Sequence, residues 1–312
     1  MRQPESTDAK RLAEAYFGAP ARITPLGGGF YGRVFLAEAK AAQAVVKLYM
    51  KAGFHRKEKG QLEALRRVAL VPMPRVYAAY DAGGETPYDA IVMEYLPGCN
   101  AGVQEGLEPE SRDKIARTIV ENLLAYHRCT HPEGFGELDA PSFEPDWNES
   151  YRKTAQSHFA KAKYLYDMGW IDRAVLDTLC RAMAHYDEIF CRPVPQACLI
   201  HGDYNTWNVL LNPAMTEVAA VIDPFGCRWA DPELDLYQLN NANGRYYGLL
   251  ECYMQLQPVS ENFFMKNHFY ELMTELMHYH DSGVDPREYG KLPGQAKALE
   301  MAMDRGGIGQ GR

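Results

Sequence analysis

The sequence predicts an α+β chain in two unequal lobes, a small antiparallel β-sheet carrying one helix followed by a larger helical lobe. Three observations carry this. Short β-runs punctuated by glycine occupy the stretch from about Arg22 to Tyr95, helical periodicity takes over beyond Leu96-Pro97-Gly98, and a β-island between Ala197 and Asp223 interrupts the helices. A length of 312 residues, at roughly 150 per domain, suits two domains or one two-lobed unit. The expected division is 1–96, ending in a hinge, and 97–312.

Apolar runs at 22–26, 33–37, 44–49, 75–80 and 90–95 read as strands, bounded by turn signals such as Asp81-Ala-Gly-Gly84. Between Phe54 and Val68, the positions Leu62, Leu65 and Val68 recur at helical spacing among basic residues, which predicts the one helix of this lobe. Helical patterning then covers about 110–128, 148–190 and much of 233–280. Asp231-Pro232 supplies an N-cap and a proline at the first helical position. The glycine-rich tail from Arg305 to Arg312 is expected to be disordered.

Composition excludes several classes. With 33 Lys+Arg against 41 Asp+Glu, the net charge of −8 disfavours binding to nucleic acid or an anionic membrane, since phosphate affinity needs clustered basic residues. No stretch approaches the ~18 consecutive apolar residues that span a bilayer, and the first eight residues lack the apolar core of a signal peptide. The seven cysteines are odd in number, scattered and never spaced as CxxC, so reduced thiols in a cytoplasm are expected.

Several constellations point to chemistry. Leu26-Gly-Gly-Gly-Phe-Tyr-Gly-Arg-Val34 places Gly27, Gly29 and Gly32 between two strands, where backbone N–H groups can approach phosphate oxygens. By itself the motif suits an unliganded hairpin equally well; a dinucleotide fingerprint is disfavoured because a strand, not a helix, follows. Lys47 interrupts the apolar run Ala44-Val-Val-Lys-Leu-Tyr49, and a buried ammonium requires a partner. Glu58, inward-facing on the next helix, is the first candidate; Glu63 is the exposed competitor.

The strongest signal is Leu199-Ile-His-Gly-Asp-Tyr-Asn-Thr-Trp-Asn-Val-Leu-Leu211, in which Asp203 and Asn208 stand between two apolar strands. Fifteen residues beyond Asn208, the run Val218-Ala-Ala-Val-Ile222 ends in Asp223, and a hairpin through Asn212-Pro213 brings Asn208 and Asp223 to one end. Their hard oxygens suit Mg²⁺ carried by a nucleotide, which leaves Asp203 as a base. Each residue alone could be an ordinary turn former. Asp231, Glu233 and Asp235 suffice to stabilise a helix start, and Asp235 is also placed to brace the loop around His201.

Together these residues resemble the aminoglycoside phosphotransferase-like kinase family, which includes choline, homoserine and fructosamine kinases and shares the protein-kinase fold. The resemblance runs from about Leu26 to Leu239 and takes in Pro72-Met-Pro-Arg-Val76, Ile91-Val-Met-Glu-Tyr-Leu-Pro-Gly98 and Leu124-Ala-Tyr-His127 besides the motifs above. Protein kinases carry Arg where Gly202 stands, which favours a small-molecule acceptor. The resemblance implies that Gly27, Gly29 and Gly32 cover the phosphates of ATP or GTP, that Lys47 paired to Glu58 contacts them, and that the backbone near Glu94 and Leu96 binds the base. It further implies that Asp203 orients or deprotonates an acceptor hydroxyl, that Asn208 and Asp223 hold Mg²⁺, and that His201 and Asp235 support the loop.

The chain departs from many relatives in reading Tyr204-Asn-Thr-Trp207 where they carry Leu after the Asp and Pro-Gly or Ser-Gly before the Asn. Asp146-Trp147, Gly134-Phe-Gly136 and the run from Trp229 to Leu236 lean toward the fructosamine-kinase branch. Acceptor contacts are expected from Tyr204, Trp229, Asn240 and Asn241, with Arg245, Glu271 and Glu275 as further candidates. The expected activity is transfer of the nucleotide γ-phosphate to a hydroxyl of an amino sugar, ketosamine, antibiotic or related metabolite, by a monomer or homodimer. The alternative is a catalytically silent nucleotide-binding regulator on the same fold. The stripe Phe264, Met265, Phe269, Leu272, Met273 and Leu276 reads as core or a dimer surface, and His268, His278 and His280 as surface or satisfied histidines.

Overall fold

The five apolar runs near the N-terminus form one antiparallel sheet in the computed structural model, which describes residues 3–40 and 42–308. A helix that the sequence reading lacked, α1 (Ser6–Phe17), precedes it. The strands are β1 (Arg22–Gly28), β2 (Gly32–Ala39), β3 (Ala42–Tyr49), β4 (Val76–Tyr80) and β5 (Asp89–Met93), in the order β1-β2-β3-β5-β4. Helix α2 (Phe54–Arg66) lies between β3 and β4 in the chain. A continuous apolar run suits a central strand, and β3 is flanked on both sides, by β2 and β5. Ala9, Leu12 and Ala13 of α1 join Phe35, Val46, Leu48 and Val92 in one buried cluster on the sheet. Val45, Tyr49, Ile91 and Met93 instead join Leu62 and Leu65 of α2, and this cluster continues into the helical part through Met73, Ile119 and Leu123.

The remainder is mainly helical. It comprises β6 (Cys99–Asn100), α3 (Pro109–His127), β7 (Thr130–His131), β8 (Gly136–Glu137), α4 (Trp147–Asp167), α5 (Arg173–Ala184), α6 (Tyr186–Ile189), β9 (Ala197–Leu199), β10 (Val209–Leu211), β11 (Val218–Val221) and β12 (Arg228–Ala230). A 3₁₀ run over Pro232–Asn240 leads to α7 (Gly244–Tyr247), α8 (Leu249–Leu256), α9 (Phe263–Ser282) and α10 (Leu292–Arg305). The helical pattern over 148–190 is therefore three helices, the first ended by Gly169 at φ +69°. That over 233–280 opens as a 3₁₀ segment and breaks at Gly248, φ +65°. The β-island forms the β10–β11 hairpin, with Val209 opposite Val221.

The tail expectation is corrected in part. Arg305 closes α10, Ile308 is buried, and its carbonyl accepts from Arg181 Nη2 at 3.0 Å; residues 309–312 lie outside the described residues. In the α9 stripe, Phe269, Leu272, Met273 and Leu276 are core, while Phe264 is exposed. No described helix is long and apolar enough to cross a membrane, and none of the seven cysteines is disulfide-bonded.

One buried charge cluster anchors the 3₁₀ run. Asp231 accepts from Glu233 N at 3.0 Å, as an N-cap should, and its other oxygen meets Lys266 Nζ at 2.7 Å and Tyr270 OH at 2.8 Å. Glu233 meets the same Nζ at 2.8 Å and accepts from Ser260 N and Oγ. Lys266 is 3% exposed, so removing its charge leaves two buried carboxylates without a cation. Lys266→Met should cost about 3–5 kcal/mol in urea unfolding; a loss below about 1 kcal/mol would mean that the carboxylates are solvated instead.

Candidate active site

Strand pairing places Lys47 opposite Val34 and Ile91, in the middle of the sheet. Its ammonium donates to Glu58 Oε2 at 2.7 Å and to Asp223 Oδ1 at 2.5 Å. Tyr49 OH also donates to Glu58 Oε2, at 2.8 Å, while Glu63 stays exposed near Lys59. Burial alone would lower the Lys47 pKa, but Asp223 and Glu58 outweigh it and hold the ammonium charged. For Glu58 burial is the larger effect and raises the pKa, with Lys47 offsetting part of it.

The loop after β9 is fixed by one carboxylate. Asp235, fully buried, accepts from His201 N at 2.8 Å with one oxygen and from Gly202 N at 2.7 Å with the other. The first oxygen also meets His127 Nε2 at 3.2 Å, and His127 Nδ1 meets Tyr253 OH at 2.9 Å. Gly202 sits at φ +82°, and a Cβ there would lie 2.0 Å from the Phe225 carbonyl oxygen. The loop then presents Asp203, whose Oδ1 accepts from Asn205 Nδ2 at 2.6 Å and whose Oδ2 accepts from Asn208 Nδ2 at 2.9 Å. Burial, with Asp223 close by, pushes the Asp203 carboxyl up to about 7.

Ile222 N donates to the Asn208 carbonyl at 2.9 Å, so Asn208 and Asp223 do share one end of the hairpin. Asp223 adopts φ +55°, uncommon for a non-glycine residue. The Asn208 amide N–H group is used on Asp203, and its Oδ1 has no hydrogen bond among the described residues; Asp223 engages Lys47 through Oδ1 only. Two hard oxygens are thus free on adjacent chain segments, a donor set that fits Mg²⁺.

The glycine loop joins β1 to β2. Gly27 takes φ +139°, and a Cβ on Gly32 would approach the Leu48 carbonyl oxygen to 2.7 Å, whereas Gly29 has open space. The loop tip reaches the helical part: Tyr31 stacks on Phe225 at 5.1 Å with rings 1° apart, and its hydroxyl meets His278 Nδ1 at 3.1 Å. In the hinge, Glu94 N donates to the Arg75 carbonyl at 2.8 Å. The Glu94 carbonyl and the Leu96 N–H have no partner among the described residues.

The acceptor expectations divide. Tyr204 is corrected: it is fully buried, donating to the Ile119 carbonyl and accepting from Asn122 Nδ2, both at 2.9 Å, so it anchors the loop from within the core. Trp229 is half-buried against His131, with ring centres 5.0 Å apart. Asn241 Nδ2 donates to Gln238 Oε1 at 3.1 Å, which also receives Asn205 Nδ2 at 3.4 Å, linking it to Asp203; Asn240 is half-buried and Arg245 exposed. Burial raises the Glu275 pKa, and Glu271 reinforces the shift. Sequence reasoning missed Asn205, Tyr49 and the Tyr31–Phe225–His278 contact. Only Asn205 had a signal, its place inside the motif.

Residues 22–246 match the model of the phosphotransferase enzyme family. The chain belongs to this family. It is similar to the uncharacterized Escherichia coli (strain K12) protein YcbJ, with 25% identity over 223 residues covering 70% of this chain and 72% of that one. Solved family folds superpose over nearly the whole length. A Haemophilus somnus protein provisionally described as a fructosamine-3-kinase has a TM-score of 0.68 at 16% identity, covering 95% of this chain and 96% of that one. A thermostable mutant of aminoglycoside phosphotransferase APH(4)-Ia, in complex with AMP-PNP and hygromycin B, gives 0.69 at 16%, covering 97% and 99%. The GDP complex of an aminoglycoside 2'-phosphotransferase-IIIa mutant gives 0.66 at 15%, covering 98% and 99%. This phosphotransferase therefore has the two-lobed, kinase-like α+β fold of its family.

Two outcomes follow for the family member described here. Gly202→Ala drives a Cβ into the Phe225 backbone, so the loop must shift; phosphoryl transfer should fall by at least about 10²-fold with the circular dichroism spectrum retained. Undiminished activity would show that the loop has room. Burial, only partly offset by Asp281, pushes His278 down to about 4. Its ring is thus neutral in the folded chain where the unfolded chain protonates it, and stability is lost as pH falls from about 6.5 toward 4. The stability difference between His278→Gln and the parent should move in favour of the variant by about 1.4 kcal/mol per pH unit in that window. A gap that does not vary with pH would refute this.

Proposed function

We propose that this phosphotransferase moves the γ-phosphoryl group of ATP or GTP to a hydroxyl of a small sugar-like molecule. The observation that carries the reading is the Asp203 carboxylate, held by Asn205 and Asn208 beside the Lys47–Asp223 ion pair. The Glu94 carbonyl and the Leu96 N–H bind the base, and the backbone at Gly27, Gly29 and Gly32 covers the phosphates. Phosphate oxygens entering beside Lys47 exchange its contact with Asp223 for their own, while Glu58 keeps the ammonium in place. Asp203 accepts the hydroxyl proton as the acceptor oxygen bonds to the γ-phosphorus and the bond to the β-phosphate oxygen breaks, releasing the nucleoside diphosphate. Mg²⁺, held by Asn208 and Asp223, would supply charge neutralisation on the phosphates.

Support comes from the solved relatives that carry AMP-PNP, hygromycin B or GDP. A binder without turnover has no chemical need for a carboxylate held as Asp203 is. We also infer that 1–96 and 97–312 act as the two lobes closing on the nucleotide, and that the protein works in a reducing cytoplasm, consistent with its free cysteines.

The test is incubation with Mg²⁺, labelled ATP or GTP, and a panel of hygromycin B, other aminoglycosides, a ketosamine, choline, homoserine and simple sugars. Transfer to a sugar-bearing acceptor is expected. Asp203→Ala should reduce it by about 10²–10⁴-fold while retaining nucleotide binding. Transfer by that variant at the parental rate would remove the base assignment. Nucleotide binding by the parent with transfer to nothing would favour the silent regulator.

A further inference from the structure

Trp207 occupies the position just before Asn208, and it is 51% exposed. An indole this open on a catalytic loop is unusual because the loop around it is fixed. The Trp207 backbone N–H donates to Asn205 Oδ1 at 2.9 Å, and the Trp207 carbonyl accepts from Asn100 Nδ2. The preceding Thr206 is fully buried, with its Oγ1 accepting from Asn243 N at 3.1 Å. The ring lies against Gly102, where a Cβ would come within 3.0 Å of Trp207 Cδ2 and 3.3 Å of Cε3, so any larger residue there would push it away. The backbone therefore holds the ring in place while much of it stays in solvent.

Its backbone is tied to Asp203 through one side chain. The Asn205 amide that receives the Trp207 N–H also donates to Asp203 Oδ1, at 2.6 Å. Around this pair stands a linked set of amides: Asn205 and Asn241 both donate to Gln238 Oε1, and Asn243 Nδ2 donates to the Gln104 carbonyl at 2.5 Å. A flat, half-exposed apolar ring on the same loop as the Asn205 and Asn208 amides suits a molecule that is apolar on one face and hydroxylated at its edge, which is the chemistry of a saturated sugar ring.

We propose that Trp207 is the stacking platform for the acceptor, taking the C–H face of a sugar ring whose hydroxyl is presented to Asp203. This rests on the kinase reading above and deepens it by naming the residue that binds the sugar-like acceptor. Trp207 acts by binding, and its removal weakens the acceptor complex ahead of the chemical step.

The experiment compares the parent, Trp207→Ala and Trp207→Phe, with hygromycin B and fructosyl-lysine as sugar acceptors and choline and homoserine as acceptors without a ring. Trp207→Ala should raise the sugar-acceptor KM by about tenfold or more, and Trp207→Phe should recover most of it. AMP-PNP affinity measured without acceptor should stay within about twofold of the parent, which separates an acceptor platform from a nucleotide cover. An unchanged acceptor KM in Trp207→Ala overturns the proposal, as does a parallel loss of AMP-PNP affinity or transfer confined to choline or homoserine. If the parent phosphorylates nothing, the kinase reading fails separately, and Trp207 is judged by fluorescence. Quenching by either sugar that is present in the parent and missing in Trp207→Phe supports the platform; equal traces refute it.

Discussion

An ammonium buried in a β-sheet must be surrounded by anions, and Lys47 draws one from 11 residues away and another from 176 residues away. Glu58 reaches it because α2 packs Leu62 and Leu65 against the sheet, and Asp223 reaches it because the β10–β11 hairpin ends beneath the sheet. Two carboxylates on one cation leave an excess of negative charge that the surroundings tolerate through Tyr49 and the partial exposure of Asp223. Such an arrangement contributes little net stability, since desolvation of the ions offsets their attraction. What it contributes is location: deleting any partner leaves the others mispaired, so sheet, helix and hairpin are held in one relative position.

The loop that carries Asp203 is constrained independently and from below. Asp235 accepts both backbone N–H groups at His201 and Gly202 and also contacts His127, which reaches Tyr253 on α8. Tyr204, next to Asp203, is driven into the core and bonded to α3 through Ile119 and Asn122. The loop is therefore held on both sides of Asp203 by buried hydrogen bonds, and burial raises the pKa of that carboxylate. Preorganisation of this kind limits the motion needed when substrates arrive.

Much of this was legible in the residues themselves. The apolar run around Lys47 forecast a strand whose ammonium needs a partner, and the spacing of Asn208 and Asp223 forecast a hairpin with their oxygens at one end. Helices α1 and α10 escaped because their stripes, Ala9-Leu12-Ala13 and Leu292-Ala296-Leu299-Met303, are weak in sequence and gain their meaning only from the sheet and helices they cover. A Glu5–Asp8 capping box and Gly18 in the left-handed region were the local signals at α1. Tyr204 was misplaced for another reason: in an irregular loop no period fixes which way a side chain points, and a tyrosine beside a carboxylate looks like a ligand contact until Asn122 is found beneath it.

The same distinction fits a fold retained at 15–16% identity to solved structures. The Lys47 side of the site is built from strand ladders, where moving one residue disturbs its neighbours' pairing. The other side of the site is built from the 3₁₀ turn at Thr206–Asn208, the end of the Pro232–Asn240 run and the segment after β6, joined through side chains such as Asn100, Asn205 and Asn243. Bonds of that sort hold backbone atoms while leaving the outward side chains free to differ. At position 207 the backbone N–H and carbonyl are both engaged and the side chain makes no hydrogen bond, so replacing that side chain leaves Asp203, Asn208 and Asp223 where the ladder and the buried carboxylate put them.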